Sequence, residues 1–417
     1  MDPEPTREPE PAAARRNFFC LVWVGSVFAM GWSEVSAVLQ PLLVHYGASN
    51  FQIGLAQGVL VATLPGMFLS PWITRRFRQK KIYLYVTDTL YLLPVGLVGA
   101  AVWAGVSSDG QVMVAVIVAL MCAGQVAAGF GGLPNQEFFA ACIPMRLRGR
   151  LAGVSAGIGG LLGIAGAGIA AWMLGIFPQP QGFGVLLVLA WLLCQIADTA
   201  ILFAHEPPTP VERSPAPWGR AMWRAFFSDS KFLRVALVVC LASPLLGQLA
   251  VFASVFAFRD LGSGAQMAAW IAMSAAIARL ALSPLAGWVT DRWGARNALL
   301  FWPLLAAAGF FFLAAFPGIV AVLAASGLAA VAGSGFSGAM NALTCGIPKP
   351  ENRAGHFTLL GFCMIASNSA APLAVGWMFD HIAFRAGFAI LGLAVVAVMA
   401  LGFRLLRNLS PRAGDYH

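Results

Sequence analysis

The sequence predicts an all-α membrane protein, with twelve transmembrane helices in two six-helix bundles related by pseudo-two-fold symmetry. Three observations predict this: the composition, the length of the apolar runs and the placement of the basic residues. Of 417 residues, 59% are hydrophobic and 10% charged, where a soluble domain carries about 25% charged residues. A chain this apolar cannot cover its own surface with polar groups, so lipid must be the solvent for most of it.

A helix of about 20 apolar residues crosses a hydrocarbon core of about 30 Å. Runs of that order occur at roughly 18–43, 52–73, 82–105, 111–139, 152–176, 183–204, 233–258, 265–289, 297–316, 318–345, 356–379 and 385–406. Inside lipid every backbone N–H and C=O needs a partner within the protein, which leaves helices and closed barrels. Barrel strands alternate over about ten residues. These runs are longer and apolar on every side, so helices are expected. Residues 1–16 are polar and rich in Pro and Glu, and read as a disordered cytoplasmic tail. The apolar stretch behind them is too long for a signal-peptide core and is expected to be a retained span.

The formal charge is +9, but its distribution argues against nucleic acid as a partner. Arg259 and Arg385 stand alone on one set of loops, and Arg279 lies within a span. The remaining Lys and Arg fall on the alternate loops, the tails and the central linker, as in Arg75, Arg76, Arg78, Lys80, Lys81, Arg146, Arg148 and Arg150. Such a bias places basic loops in the cytoplasm. Both termini are then cytoplasmic and the number of spans is even. Arg outnumbers Lys, and Ala and Gly abound, which suggests a GC-rich genome and hence a bacterial inner membrane.

The longest polar interruption runs over 205–231. It starts Pro-rich. Trp218, Met222, Trp223, Phe226 and Phe227 then alternate with Arg220 and Arg224 at helical spacing, as in an amphipathic helix lying on the inner membrane surface. It divides the chain into a bundle over 17–204 and a bundle over 232–407, with a tail at 408–417. The halves repeat one another faintly. Trp72, Thr74 and Arg76 after span 2 match Trp288, Thr290 and Arg292 after span 8. Ile143-Pro144 after span 4 matches Ile347-Pro348 after span 10. Repeats of this kind suggest two bundles rocking about a central site.

At these loops the chain resembles the major facilitator superfamily. The most specific stretch is Gly287-Trp-Val-Thr-Asp291-Arg292-Trp-Gly294-Ala-Arg296, which is similar to the superfamily loop signature G-x-x-x-D-R-x-G-R-K. The resemblance implies a cytoplasmic latch: Gly287 permits close helix approach, Asp291 bonds the N-terminus of a neighbouring helix, and Arg292 and Arg296 reach acidic partners. A basic loop with a turn glycine is the plainer alternative. The first-half copy has Arg75 at the Asp position and Arg78 at the Gly position, with Glu137 and Asp198 as candidates for the missing charge. Two stretches depart from the drug–proton antiporters of the superfamily. Gln125 stands where those carry an Arg in span 4, and Ile164 replaces the proline of the span 5 glycine motif. Gly153, Gly157, Gly159 and Gly163 have the small-xxx-small spacing that lets helices pack closely in lipid.

Charges within spans are costly and tend to face a bundle interior or a wet cavity. Glu34 lies past the middle of span 1 with Trp32 close in sequence. By resemblance it faces the central cavity, where a carboxyl held away from water can carry a proton; a hydrated acid at the rim is the alternative. Arg279 in span 8 suits an anionic substrate group through its fork of donors, or a structural ion pair. Asp88 and Asp198, near the inner ends of spans 3 and 6, are expected to be solvated or paired with the basic loops. Gln125, Gln248, Asn341 and Asn368 supply amides on or beside the expected cavity helices. The set suits a neutral polar ligand, with interhelical hydrogen bonding as the alternative for each member.

Together these features predict a secondary active transporter that works as a monomer on a small polar organic solute, sugar-like or a related metabolite, with a proton as candidate coupling ion. Efflux of amphipathic compounds or drugs is the alternative. No G-x-x-x-x-G-K-[ST] loop is present for ATP binding and no H-E-x-x-H cluster for a membrane-embedded enzyme. The cysteines form no C-x-x-C pair, so neither a metal nor a cofactor is expected.

Overall fold

The computed structural model describes residues 11–74, 76–77, 79–207, 220–348 and 353–407. Residues 1–10, the Pro-rich part of the linker, the tail at 408–417, Arg75, Arg78 and Lys349 lie outside them. Every regular element among the described residues is a helix. The first bundle comprises α1 (Pro11–His45), α2 (Asn50–Gly58), α3 (Thr63–Thr74), α4 (Lys81–Trp103), α5 (Gly110–Cys142), α6 (Met145–Ile176) and α7 (Gln181–Phe203). The short α8 (Arg220–Ser228) leads to α9 (Ser230–Arg259), α10 (Gln266–Trp293), α11 (Ala295–Ala315), α12 (Ile319–Gly346), α13 (Arg353–His381) and α14 (Phe384–Leu406).

Eleven spans are long and apolar enough to cross a membrane, and the bent α10 makes a twelfth. Local chemistry explains the departures from straight rods. Span 2 divides into α2 and α3 across a 3-10 turn at Val59–Ala62, because Pro65 has no N–H to offer the preceding turn. At the same turn Thr63 Oγ1 donates to the Leu60 carbonyl at 2.8 Å. Span 8 bends by 47° at Pro284. α1 starts at Pro11, inside the segment expected to be a disordered tail. Proline suits the first position of a helix, and three alanines then carry the helix into the span.

Close glycine contacts set the packing inside the first bundle. A Cβ on Gly99 of α4 would lie 2.7 Å from the Gly184 carbonyl of α7, and one on Gly184 would lie 2.7 Å from the Gly99 carbonyl. The predicted small-residue face of α6 is used in part: Gly159 meets Ala29 of α1 and Gly160 meets Leu280 of α10, whereas Gly153 and Gly157 face open space. On α8, Phe226 is buried against Phe232 and His356, while Trp223 and Phe227 stack on the exposed side.

The two bundles meet on the face opposite the basic loops. There Gly54 and Gly58 of α2 touch Pro372 and Ser369 of α13, and Gly376 of α13 touches Asn50. The α6–α10 seam holds through Gly175–Gln266, Gly168–Met273 and Gly160–Leu280. Further towards the basic loops, Gly153, Gly157 and Gly287 have nothing within 4 Å. Among the described residues the close glycine contacts between the bundles therefore concentrate away from the basic loops.

Candidate transport site and latches

The joined face is held by a compact polar cluster. Ser49 caps α2 with a reciprocal capping box to Gln52, which leaves the next backbone donors free for another helix. Asp380, at the end of α13, takes them: Oδ1 accepts from Asn50 N at 2.8 Å and Oδ2 from Phe51 N at 2.9 Å. Asn50 Nδ2 donates to the Phe379 carbonyl at 2.9 Å. Arg259, the last residue of α9, donates to Asn50 Oδ1 at 2.6 Å and to the Ala48 carbonyl. A carboxylate at a helix N-terminus gains from both the free amides and the helix dipole. Sequence reasoning did not single out Asp380 or Asn50. The available signal was Arg259, one of two basic residues on the wrong set of loops.

On the basic face the predicted latch arginines make their described contacts within their own bundle. Arg292 lies over Trp288 at 5.4 Å and Arg296 over Phe403 at 5.9 Å, both within the second bundle. Among the described residues no hydrogen bond or ion pair ties Asp291, Arg292 or Arg296 to the first bundle, and Gly287 has no close neighbour. In the first half, Glu137 pairs with Lys80, but the N-terminus of α4 is capped by Glu206. The Glu206 carboxylate accepts from Lys80 N at 2.7 Å and from Lys81 N at 3.0 Å and is 2% exposed. Asp198 is not that partner, since it is buried deeper in the bundle. Glu206→Ala is expected to destabilise the protein by about 1–3 kcal/mol, the cost of orphaning buried donors, seen as a lower melting temperature of the detergent-purified chain.

The candidate solute residues are spread over both bundles. On α12, Ser337, Gly338 and Asn341 are exposed on one side of the helix. On α9, Gln248 is buried, its Nε2 donating to the Pro244 carbonyl at 2.8 Å while Oε1 has no partner. Asn368 of α13 accepts from Ser243 of α9 at 3.2 Å. Gln125 is half-buried on α5. Trp32 is partly exposed, stacked on Phe28 at 5.9 Å and 6.1 Å from Tyr91.

Glu34 departs from the expectation that it faces the cavity. It is fully buried, and neither carboxyl oxygen has a hydrogen-bond partner. At about 100° per residue it lies about 160° round α1 from Trp32. It falls between the side where Met30 and Ser33 meet α6 and the side where Gly31 meets Cys194 of α7. The helical period therefore separates two residues that are neighbours in sequence. Arg279 is exposed and has no acidic partner among the described residues. Trp270, Ile277 and Trp288 form an exposed apolar row on the same helix, and Arg279 lies on the side away from Ile277.

The chain therefore folds as two bundles of six spans, tied together by a polar cluster on the face opposite the basic loops. Residues 245–415 match the profile of the Major Facilitator Superfamily. No curated protein matches the chain in sequence. A mutant of the nucleoside transporter NupG superposes with a TM-score of 0.73 at 13% identity, over 93% of this chain and 99% of that one. A D-xylose–proton symporter gives 0.69 at 16% identity, over 94% and 97%. A bacterial homologue of the human lysosomal transporter Spinster, inward-facing and unoccupied, gives 0.64 at 14% identity, over 95% and 96%. The second half of the chain thus matches the superfamily profile, and the whole chain has the fold of these transporters, with helices long and apolar enough for a multi-pass membrane protein.

Proposed function

We propose that the chain is a secondary active transporter of a small polar organic solute, working by alternating access in a bacterial inner membrane with its basic loops in the cytoplasm. The observation that carries the reading is the asymmetry of the two faces. The side with the Asp380–Asn50–Arg259 cluster is tied by charged hydrogen bonds, whereas on the basic side no described latch residue bonds across to the other bundle. In the proposed orientation this is a cytoplasm-open state. Ser337 and Asn341 supply exposed polar groups on one side of α12. Lipid covers the Trp270–Ile277–Trp288 row of α10, which leaves Arg279 for the interior, because a guanidinium is costly in hydrocarbon. Nucleosides and pentoses are the first solutes to test, because two structural neighbours are a nucleoside transporter and a D-xylose–proton symporter. Glu34, buried and without a partner, is the candidate for proton coupling.

Counterflow in proteoliposomes tests the reading. A transporter exchanges labelled for unlabelled solute and briefly accumulates label. No counterflow across a panel of nucleosides, sugars and small carboxylates would remove the polar-solute assignment. If Arg279 binds an anionic group through its fork, both Arg279→Lys and Arg279→Ala should weaken apparent affinity at least tenfold. Equal affinity in wild type and Arg279→Lys would sink the fork. An efflux role for amphipathic compounds has one observation in its favour. Phe68 of α3 and Phe362 of α13 stack at 4.5 Å across the two bundles and offer an aromatic surface. Competition of counterflow by apolar cations, with no effect of sugars or nucleosides, would favour it.

A further inference from the structure

The first bundle contains acids that the solute reading does not use. Asp198 of α7 is 2% exposed, and its Oδ2 has no hydrogen-bond partner. The antiparallel packing of α4 on α7 brings Asp88 to it. Gly99 lies against Gly184, Gly96 lies against Trp191, and Thr89 accepts from Gln195 at 3.1 Å. The same register carried towards the basic loops sets Asp88 opposite Asp198, close enough for the two carboxyls to interact electrostatically. Asp88 is half-buried and also lies beside Gly131 of α5. Among the described residues neither acid has an ion-pair partner.

The other titratable groups facing the pair are Tyr91 on α4 and Cys194 on α7, with Glu34 of α1 beyond Cys194. None of these is a cation at neutral pH. Lys81, at the inner end of α4, donates to the Leu202 and Ala204 carbonyls and leaves the pair without a counter-charge. Two carboxylates set side by side away from water cannot both stay ionised; one proton held between them removes the repulsion and supplies the missing donor.

We propose that Asp88 and Asp198 form a proton-binding site inside the first bundle, separate from the solute face. One carboxyl keeps its proton and donates it to the other, which stays anionic. The proton enters from and leaves to water on the basic face, by way of the half-buried Asp88. Cys194, one turn from Asp198, lies between this pair and Glu34. The level of Glu34 is set by Gly31, which meets Ala190 and Cys194, and lies about 12 Å from Asp198 at about 1.5 Å per residue. The pair is therefore a second protonatable position and not part of Glu34's own. Only the use of this proton rests on the transport reading; its binding needs no solute.

The test is pH-difference infrared spectroscopy of the full chain in phosphatidylcholine nanodiscs, without added solute. Wild type should show protonated-carboxyl bands at neutral pH that titrate. Asp198→Asn should remove one band completely, and Glu34→Gln should remove a different one. Asp88→Asn should keep the Asp198 band but move its titration midpoint by about one pH unit or more, as loss of a neighbouring like charge requires. Asp198→Glu should retain a titrating band, which guards against reading a fold defect as a lost proton. An unchanged spectrum in Asp198→Asn overturns the site. So does an Asp198 midpoint unmoved by Asp88→Asn. Loss of the band at constant pH on replacing choline chloride by sodium chloride overturns the proton in favour of a metal cation. A spectrum unchanged by Glu34→Gln, with the pair's bands intact, speaks against the coupling role of Glu34 and leaves this site standing.

Discussion

Asp380→Asn is expected to open the closed face. The carboxylate accepts two backbone N–H groups at the start of α2, at 2.8 and 2.9 Å. The amide keeps one acceptor and turns an NH2 towards the second donor. Hydrogen bonds to a charged group contribute about 1.5–3 kcal/mol each, so the loss is about 2–3 kcal/mol. Because about 1.4 kcal/mol is tenfold, the closed-to-open ratio of that face should fall by roughly 30- to 150-fold. The reporter is Ser369→Cys, on α13 beneath Gly58 and 4% exposed. Its labelling by a membrane-impermeant maleimide, above the background of the native cysteines, should rise strongly with Asp380→Asn. Arg259→Ala should give a smaller rise, since it removes the donors to Asn50 Oδ1 and the Ala48 carbonyl but leaves the carboxylate in place. Equal labelling with and without Asp380→Asn would mean that helix packing alone closes this face.

The bonds behind that prediction mark the limit of what the chain discloses by itself. The spans were legible because lipid imposes one rule on every residue of a run, and that rule can be read from local composition. The two halves were legible because the linker is polar and the loops carry repeated residues. The site was less so. Glu34 was visible as a charge within a span, but its direction depends on the rotation of α1 against α6 and α7, and Gly31 and Ser33 fix that only through neighbours more than a hundred residues away. Asp198 was expected near solvent from its distance to the end of span 6. Depth along a helix does not report which side of it is covered, and α4 covers that side. Glu206 looked like one more linker residue until the open amides of Lys80 and Lys81 came to lie beside it. Arg259 and Arg385, exceptions to the charge bias, both turn out to hold backbone groups at helix ends: Arg259 the entry to α2, and Arg385 the Ala314 carbonyl of α11 at 3.1 Å. An exception to a global charge rule was the best local pointer to a specific contact.

Gly54→Ala should trap the protein with that same face open while leaving it folded. A Cβ at Gly54 would lie 2.1 Å from the Pro372 carbonyl oxygen of α13, a backbone atom that no rotamer change can move aside. The contact exists only between bundles and only when this face is closed. Its penalty therefore falls on one conformation of the cycle and not on the fold. Gly129→Ala supplies the contrast. A Cβ there would lie 2.0 Å from the Thr63 carbonyl oxygen, but both residues belong to the first bundle, so every conformation bears the strain. Overpacking of this kind costs about 1–3 kcal/mol and occasionally more. Gly129→Ala should lower the melting temperature without raising Ser369→Cys labelling. Gly54→Ala should raise labelling, keep the melting temperature close to wild type and reduce counterflow at least tenfold, because a cycle that cannot close one face cannot return its site. A melting temperature depressed as far in Gly54→Ala as in Gly129→Ala would make the α2–α13 contact a fixed part of the fold, and the bundles would then have to move about some other seam.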